Sequence, residues 1–211
     1  MSKRGTSRSA SAGSSLLELV LIVAVALGLA LGIQAFIVKP YRIPSESMVP
    51  TLEVGQRVLV NRLGTHFGDP KVGDILVFHP PSGAEASPPS QCGDHPPSGA
   101  PCDKPTATKA SVNFIKRVVG VPGDRISIRS GRVIRNGKPT REPFISSTCA
   151  DNTGAGCTFP KTITIPPGHY FMMGDNRGES DDSRFWGPVP KSWIIGNAFA
   201  TYWPPDRIGI F

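Results

Sequence analysis

The sequence predicts a mostly β domain behind one N-terminal apolar helix, and three observations predict it. Residues 16–38 form a 23-residue stretch whose only strongly polar members are Glu18 and Gln34. Beyond it the chain breaks into short β-type runs, and none of it sustains a helical period over three or four turns. Turn signals fall between the runs, at Pro122-Gly123-Asp124, Asn136-Gly137-Lys138 and Pro167-Gly168.

The apolar stretch comes first. At about 1.5 Å per residue it reaches roughly 35 Å, enough for a hydrocarbon core of about 30 Å with some tilt. A cleavable secretory signal is the competing reading, because Lys3, Arg4 and Arg8 precede it. The stretch exceeds the usual apolar region of about 7–15 residues in such signals, and the following IVKPYRIP offers no convincing small-residue cleavage site. An uncleaved anchor in the lipid bilayer is therefore expected. Lys39 and Arg42 lie just beyond the span, but the basic N-terminus and the long downstream domain favour a cytoplasmic N-terminus. The expected organisation is a cytoplasmic basic tail (1–15), a transmembrane anchor (16–38) and an extracytoplasmic domain (39–211), single-pass in the cell membrane.

The β-type runs are 57–61, 74–79, 111–119, 125–128, 132–135, 162–165, 170–173 and 195–201. Residues 80–108 differ, with eight prolines, three glycines, four serines and hardly any bulky apolar side chain. Such a segment cannot bury enough surface to offset its ordering entropy, so an extended or disordered surface insert is expected.

The net charge of +7 bounds the partners. Three of the cations precede residue 15, and the rest include no dense run of the kind nucleic-acid arms carry, so no nucleic-acid partner is expected. Four cysteines fall in two segments, Cys92 with Cys102 and Cys149 with Cys157. Two short-loop disulfides are the simplest of three connectivities and fit an oxidising compartment. No C-x-x-C occurs and no two histidines stand at ligand spacing, so no metal is expected.

Three segments could carry chemistry. IPSESMVPTL, residues 43–52, sets two serines between two prolines, where neither a regular helix nor a central strand forms. A serine-rich turn is the plain alternative to a nucleophile. In VNFIKRVVGVPGD, residues 112–124, strand alternation puts Lys116 on one face with Val112, Phe114 and Val118. Most strand lysines face solvent or snorkel to an edge. One among three large apolar neighbours is desolvated, its ammonium form is disfavoured and its pKa falls, so it can take a proton from a serine. GDNRGESDDSRFWG, residues 174–187, is either a solvated acidic loop or, through Arg177, Arg184 and Trp186, one that packs back and orients the lysine.

These three runs, in this order behind an N-terminal anchor, resemble the signature boxes of bacterial type I signal peptidases, and VGDILVFHPP at 72–81 resembles the family's remaining box, a structural strand. The resemblance covers most of 36–203 except the proline-rich insert and the segment around Cys149 and Cys157. It implies a signal-peptidase-type β catalytic domain that hydrolyses peptide bonds through an acyl-enzyme, without metal or organic cofactor, removing signal peptides from exported preproteins after small residues of the Ala-x-Ala type. It further implies Ser47 as nucleophile and Lys116 as general base, with the Ser45 hydroxyl and the Ser47 N–H as oxyanion donors. Ser180 would bond and orient the lysine amine, Asp182 would pair with Arg184, and Asp175 with Arg117. Ile43, Leu52, Phe114 and Ile115 would line pockets for small substrate side chains. Glu46 and Glu179 stand where many members have glycine and asparagine, and the long insert precedes the lysine box rather than following it.

Histidine is not expected as the base, since His66, His79, His95 and His169 lie outside the three boxes and no G-x-S-x-G elbow occurs. A self-cleaving repressor of the serine–lysine type would need a DNA-binding unit where the apolar stretch stands. An inactive anchored binding module is disfavoured by intact Ser45, Ser47 and Lys116.

Overall fold

The computed structural model describes residues 12–85, 92, 99–146, 149 and 156–211. Most of the expected N-terminal tail, and residues 86–91 and 93–98 of the expected insert, lie outside the described residues. The chain divides into two units, Met1–Val38 and Lys39–Phe211.

The first unit is a helix, α1 (Ala12–Phe36). Within it Ser15–Ile33 has a mean hydropathy of 2.7 and is long and apolar enough to cross a membrane. Its leucines, valines and isoleucines are exposed on every side, with Leu17 at 73%. A helix apolar all round satisfies its own backbone and has no polar face to offer water, which suits lipid. The expected span of 16–38 overshoots, because Val38 already begins a strand. Pro40 lacks an N–H and disfavours helical backbone at Lys39, so the helix stops before it.

The second unit is mostly β. Its larger sheet has the order β1-β2-β11-β3-β4-β9-β10, formed by β1 (Val38–Arg42), β2 (Arg57–Asn61), β11 (Ile194–Trp203), β3 (Ile75–Phe78), β4 (Phe114–Gly120), β9 (His169–Met173) and β10 (Val189–Pro190), with β12 (Gly209–Ile210) also on β11. The smaller sheet has the order β7-β6-β5-β8, from β7 (Lys138–Pro139), β6 (Arg132–Arg135), β5 (Arg125–Arg129) and β8 (Phe159–Thr164). The eight runs read from sequence all carry strands. The two-residue strands and the one-turn helices α2 (Gly64–Phe67) and α3 (Ser183–Trp186) are too short to leave a periodic signal.

Strand alternation builds the core. On β3, Ile75 and Val77 join Ile43, Met48, Leu52 and Ile115, whereas Leu76 and Phe78 join Val118, Met172 and Trp186. This central strand is buried on both faces, which is why it reads as an unbroken apolar run. Val119, Phe171 and Met173 of the larger sheet pack with Ile126, Ile128 and Val133 of the smaller one, joining the sheets through a third cluster. Each such fully buried side chain contributes on the order of 1.5–3 kcal/mol.

The insert departs from expectation. Both disulfides are formed, Cys92–Cys102 and Cys149–Cys157. Part of the described insert docks on the domain: Pro81 bridges to Lys109, and Ala84, Cys92, Ala100 and Cys102 are buried, whereas Asp103, Lys104, Pro105, Ala107 and Thr108 are exposed at the surface as expected. The Cys92 and Cys102 N–H groups donate to the Phe185 and Arg184 carbonyls, each at 2.9 Å. Small residues and a covalent clip let this segment dock closely where long apolar side chains were missing. Gly187 makes the approach possible, since at φ +91 a Cβ there would run into the Lys104 carbonyl.

Candidate active site

Ser47 sits in a single 3-10 turn, Glu46–Met48, entered from extended Ser45 and closed by the Val49 N–H on the Glu46 carbonyl at 3.0 Å. The flanking prolines Pro44 and Pro50 keep the segment out of longer helix or sheet. Met48 plugs the turn into the core beside Ile43 and Leu52, leaving Ser47 7% exposed.

Lys116 arrives on β4, opposite Leu76 of β3, and is 4% exposed. Its Nζ lies 2.5 Å from Ser47 Oγ across 69 residues of sequence. Among the described residues that amine has no other hydrogen-bond partner and no ion pair. Phe114 supplies an apolar wall, its ring centroid 5.5 Å from Nζ. Burial lowers the Lys116 pKa to about 8, against the opposing pull of Asp182. The expected cause, desolvation, is the largest contribution, but its source differs in part. Val112 precedes the strand and is 39% exposed, so the docked turn at Ser47 and the loop after β9 supply cover that Val112 does not.

Two of the buried ion pairs that hold that loop involve the expected residues. Asp182 takes Arg184 in a fork, Nε to Oδ1 at 2.7 Å and Nη2 to Oδ2 at 2.8 Å, and also accepts the Gly174 N–H and the Ser180 hydroxyl. Burial alone would raise the Asp182 pKa, yet Arg184 and these donors hold it below the usual carboxylate range. Arg117 forks onto Asp175 at 2.9 and 2.7 Å and also donates to the Gly73 carbonyl at 2.8 Å.

The structure brings most of the expected residues together and corrects two. Ser45 Oγ lies 3.3 Å from Ser47 Oγ. Ser180, expected to bond the lysine amine, donates to Asp182 at 2.8 Å, and among the described residues the amine bonds Ser47 and not Ser180. Ile43, Phe114 and Ile115 line a cavity of about 720 Å³ that has Ser47 and Lys116 in its wall. Leu52 does not line it; at 0% exposure it is core beneath Ile43. The insert contributes Ala84 and Glu85 to the wall, beside Glu179 and Asp181.

Sequence reasoning missed three supports. Thr51 donates to Asp175 Oδ2 at 2.5 Å, tying the serine segment to the second ion pair. Gly174 has no room for a Cβ, which would meet Ser180 Oγ and the Ser47 carbonyl. Its place between an apolar strand and an acidic loop is the signal that could have found it. Glu142 pairs with Arg177 at 2.7 Å, both buried; an isolated glutamate after a turn left no such signal.

Comparison with known proteins places this geometry. The family model described as signal peptidase, peptidase S26, matches residues 16–203. A signal peptidase I from Leptolyngbya laminosa is 38% identical over 94% of this chain and 85% of its own length. A signal peptidase IB from Staphylococcus aureus is 32% identical over 90% of each. A solved signal peptidase I from Enterococcus faecalis V583 aligns at TM-score 0.38 and 23% identity, over 62% of this chain and 97% of that one. The molecule is thus a serine endopeptidase with an N-terminal apolar helix suited to membrane anchoring. The chain belongs to the signal peptidase family S26.

Proposed function

We propose that this chain removes signal peptides from exported preproteins by hydrolysing the bond after a small residue of the Ala-x-Ala type. Ser47 is the nucleophile and Lys116 the general base. The observation that carries this reading is the 2.5 Å approach of Lys116 Nζ to Ser47 Oγ in a buried setting that lowers the lysine pKa to about 8.

The chemistry follows from the geometry. Neutral Lys116 takes the Ser47 proton as Oγ attacks the scissile carbonyl carbon, and the carbonyl oxygen becomes an oxyanion. The Ser47 N–H and the Ser45 hydroxyl stabilise that charge, which develops only in the transition state. The lysine then protonates the departing amine, leaving an acyl-enzyme, and activates the water that hydrolyses it. Asp182 is saturated by Arg184, Ser180 and Gly174, so it orients the loop without capturing the lysine as an ammonium partner. Ser180 acts in this reading through Asp182. Arg117 and Asp175 brace the serine segment through Thr51. Ile43, Phe114 and Ile115 receive small substrate side chains.

The organisation follows the same reading: the basic tail cytoplasmic, the apolar helix as far as Phe36 in the bilayer and the β domain on the far side, where the disulfides form and preproteins emerge. The test is cleavage of a preprotein whose signal peptide ends in Ala-x-Ala, by wild type and by Ser47→Ala. The variant is expected to be folded and inactive, and Ser45→Ala to lose about 10²–10³ in rate. Ser47→Ala cleavage above about a hundredth of the wild-type rate would sink the assignment.

A further inference from the structure

We infer that Asn176 is the positioning residue of the oxyanion hole, an inference that rests on the serine–lysine reading above. Its side-chain Nδ2 donates to the Glu46 carbonyl at 3.2 Å, and its own backbone N–H donates to the Ser47 carbonyl at 3.1 Å. One buried residue therefore grips the two successive peptides that flank the nucleophile's Cα.

The first grip matters for catalysis because of peptide planarity. The Glu46 carbonyl and the Ser47 N–H belong to one trans peptide and point in opposite directions. Fixing the oxygen fixes the direction of the N–H that faces the developing oxyanion. The Glu46 carbonyl receives two donors, Asn176 Nδ2 and the Val49 N–H at 3.0 Å, so the peptide cannot rock about its axis without breaking one of them. Donors on the carbonyl also polarise the peptide, and a polarised N–H binds an anion better. The second grip does the same for the peptide on the other side of Ser47.

The residue type fits the task. The far end of the Asn176 amide accepts from Ser146 Oγ at 3.0 Å, and the Ser146 N–H donates to the Asp175 carbonyl at 3.0 Å. The side chain must donate at one end and accept at the other, which an amide does and an ionised carboxylate does not. Asn176 also follows Asp175, so the Arg117 ion pair and the grip on Ser47 share one stretch of backbone. No substrate contact is needed for the role.

The experiment compares wild type with Asn176→Asp, which keeps shape and the acceptor for Ser146 but loses the donor, and with Asn176→Ala. Each is assayed for kcat, KM and the pH profile on an Ala-x-Ala preprotein. Each is also assayed for the inhibition constant of a peptide aldehyde ending in the same motif, whose hemiacetal oxygen occupies the oxyanion position. The expected result is a fall in kcat of about 10- to 100-fold. KM stays within about twofold, the pH midpoint of Asn176→Ala is unchanged, and the aldehyde weakens by the same factor as kcat. Ser146→Ala, which removes the brace on the Asn176 amide oxygen, should show the same pattern at about two- to fivefold, and it keeps the test open if the Asn176 variants fold poorly. Unchanged kcat and aldehyde affinity in folded Asn176 and Ser146 variants would overturn the inference. So would a loss confined to KM, or a shifted pH midpoint in Asn176→Ala or Ser146→Ala, which add no charge beside Lys116. Ser47→Ala run alongside separates the outcomes, since activity there would overturn the serine–lysine reading itself.

Discussion

Lys116 and Arg117 are neighbours on β4, both buried at 4% and 9% exposure, and the strand sends them to opposite faces with opposite fates. Arg117 meets a carboxylate fork, a carbonyl and a hydroxyl, so its charge is fully answered. Lys116 meets one serine oxygen and an aromatic wall. A guanidinium keeps its proton in either setting, whereas an ammonium denied a counter-ion gives its proton up near neutrality. In the proposed reading, two adjacent cations thus become a strut and a base. The cause is the partner each face supplies, not the sequence distance between them.

The largest expected effect comes from exchanging these characters. Lys116→Arg places a permanent cation where a base is required and should lower kcat/KM by at least about 10³. In wild type, kcat/KM should rise with pH and level off above about 8, as the ammonium loses its proton. A pH–rate series in detergent or lipid checks both. A profile flat from about pH 5 to 10, or an active Lys116→Arg protein, would remove Lys116 as the base.

On the other face the expected effect is on stability. Asp175→Leu leaves Arg117 buried without its counter-ion and should cost about 3–5 kcal/mol, whereas Asp175→Leu with Arg117→Met removes both charges and should cost much less. Denaturant midpoints for the two variants decide it. Equal losses would mean that Arg117 is answered well enough by Gly73 and Thr51 alone.

Lys116 itself should be a stability liability. Its folded pKa of about 8 lies below the 10.5 of an ordinary lysine, so between those values the unfolded chain holds more protons and stability rises with pH. The penalty for burying the ammonium is fully present below pH 8 and gone by about 10.5. Lys116→Met should therefore be inactive yet more stable than wild type by up to about 3 kcal/mol at pH 6, an advantage that fades toward pH 10.5. Denaturation at both pH values measures it, and a constant advantage would contradict the cause assigned to the shift.

The smallest effect is expected at a third cation. Lys191 pairs with Asp69 at 2.7 Å in the open, where water screens the charges and two flexible side chains must be ordered. Lys191→Ala should leave both the denaturation midpoint and the cleavage rate unchanged. A clear loss in either would show that exposure is a poor guide to what a cation does in this fold.

Much of the fold is legible in the sequence. The apolar stretch, the eight β-type runs and the two cysteine pairs are local patterns with periods or spacings that survive without neighbours. Lys116 was legible too, because alternation placed apolar residues beside it, although Val112 proved to stand before the strand. The errors share a physical origin. Ser180 is expected on the lysine, but which groups come within bonding distance of the amine is a matter of distances that sequence does not carry. Leu52 was placed on the cavity wall, but a side chain's depth behind Ile43 depends on how the turn at Ser47 docks. The insert looked too poor in apolar mass to order, and composition could not reveal that its small residues dock on Arg184 and Phe185.

By itself the sequence determined which residue types were available and where the apolar helix and the longer strands after it would form, because periodicity, proline and glycine act within a few residues. It also determined the chemistry on offer, a serine in a proline-bounded turn and a lysine on an apolar strand. Only the tertiary structure decided that these two atoms meet across 69 residues, and that Lys116 is left without a counter-ion while Arg117 receives one. It also decided that Asn176 holds the peptides on both sides of Ser47. Hydrogen bonds and desolvation act over a few ångströms in space, and the folded chain sets those distances between residues that are far apart along it.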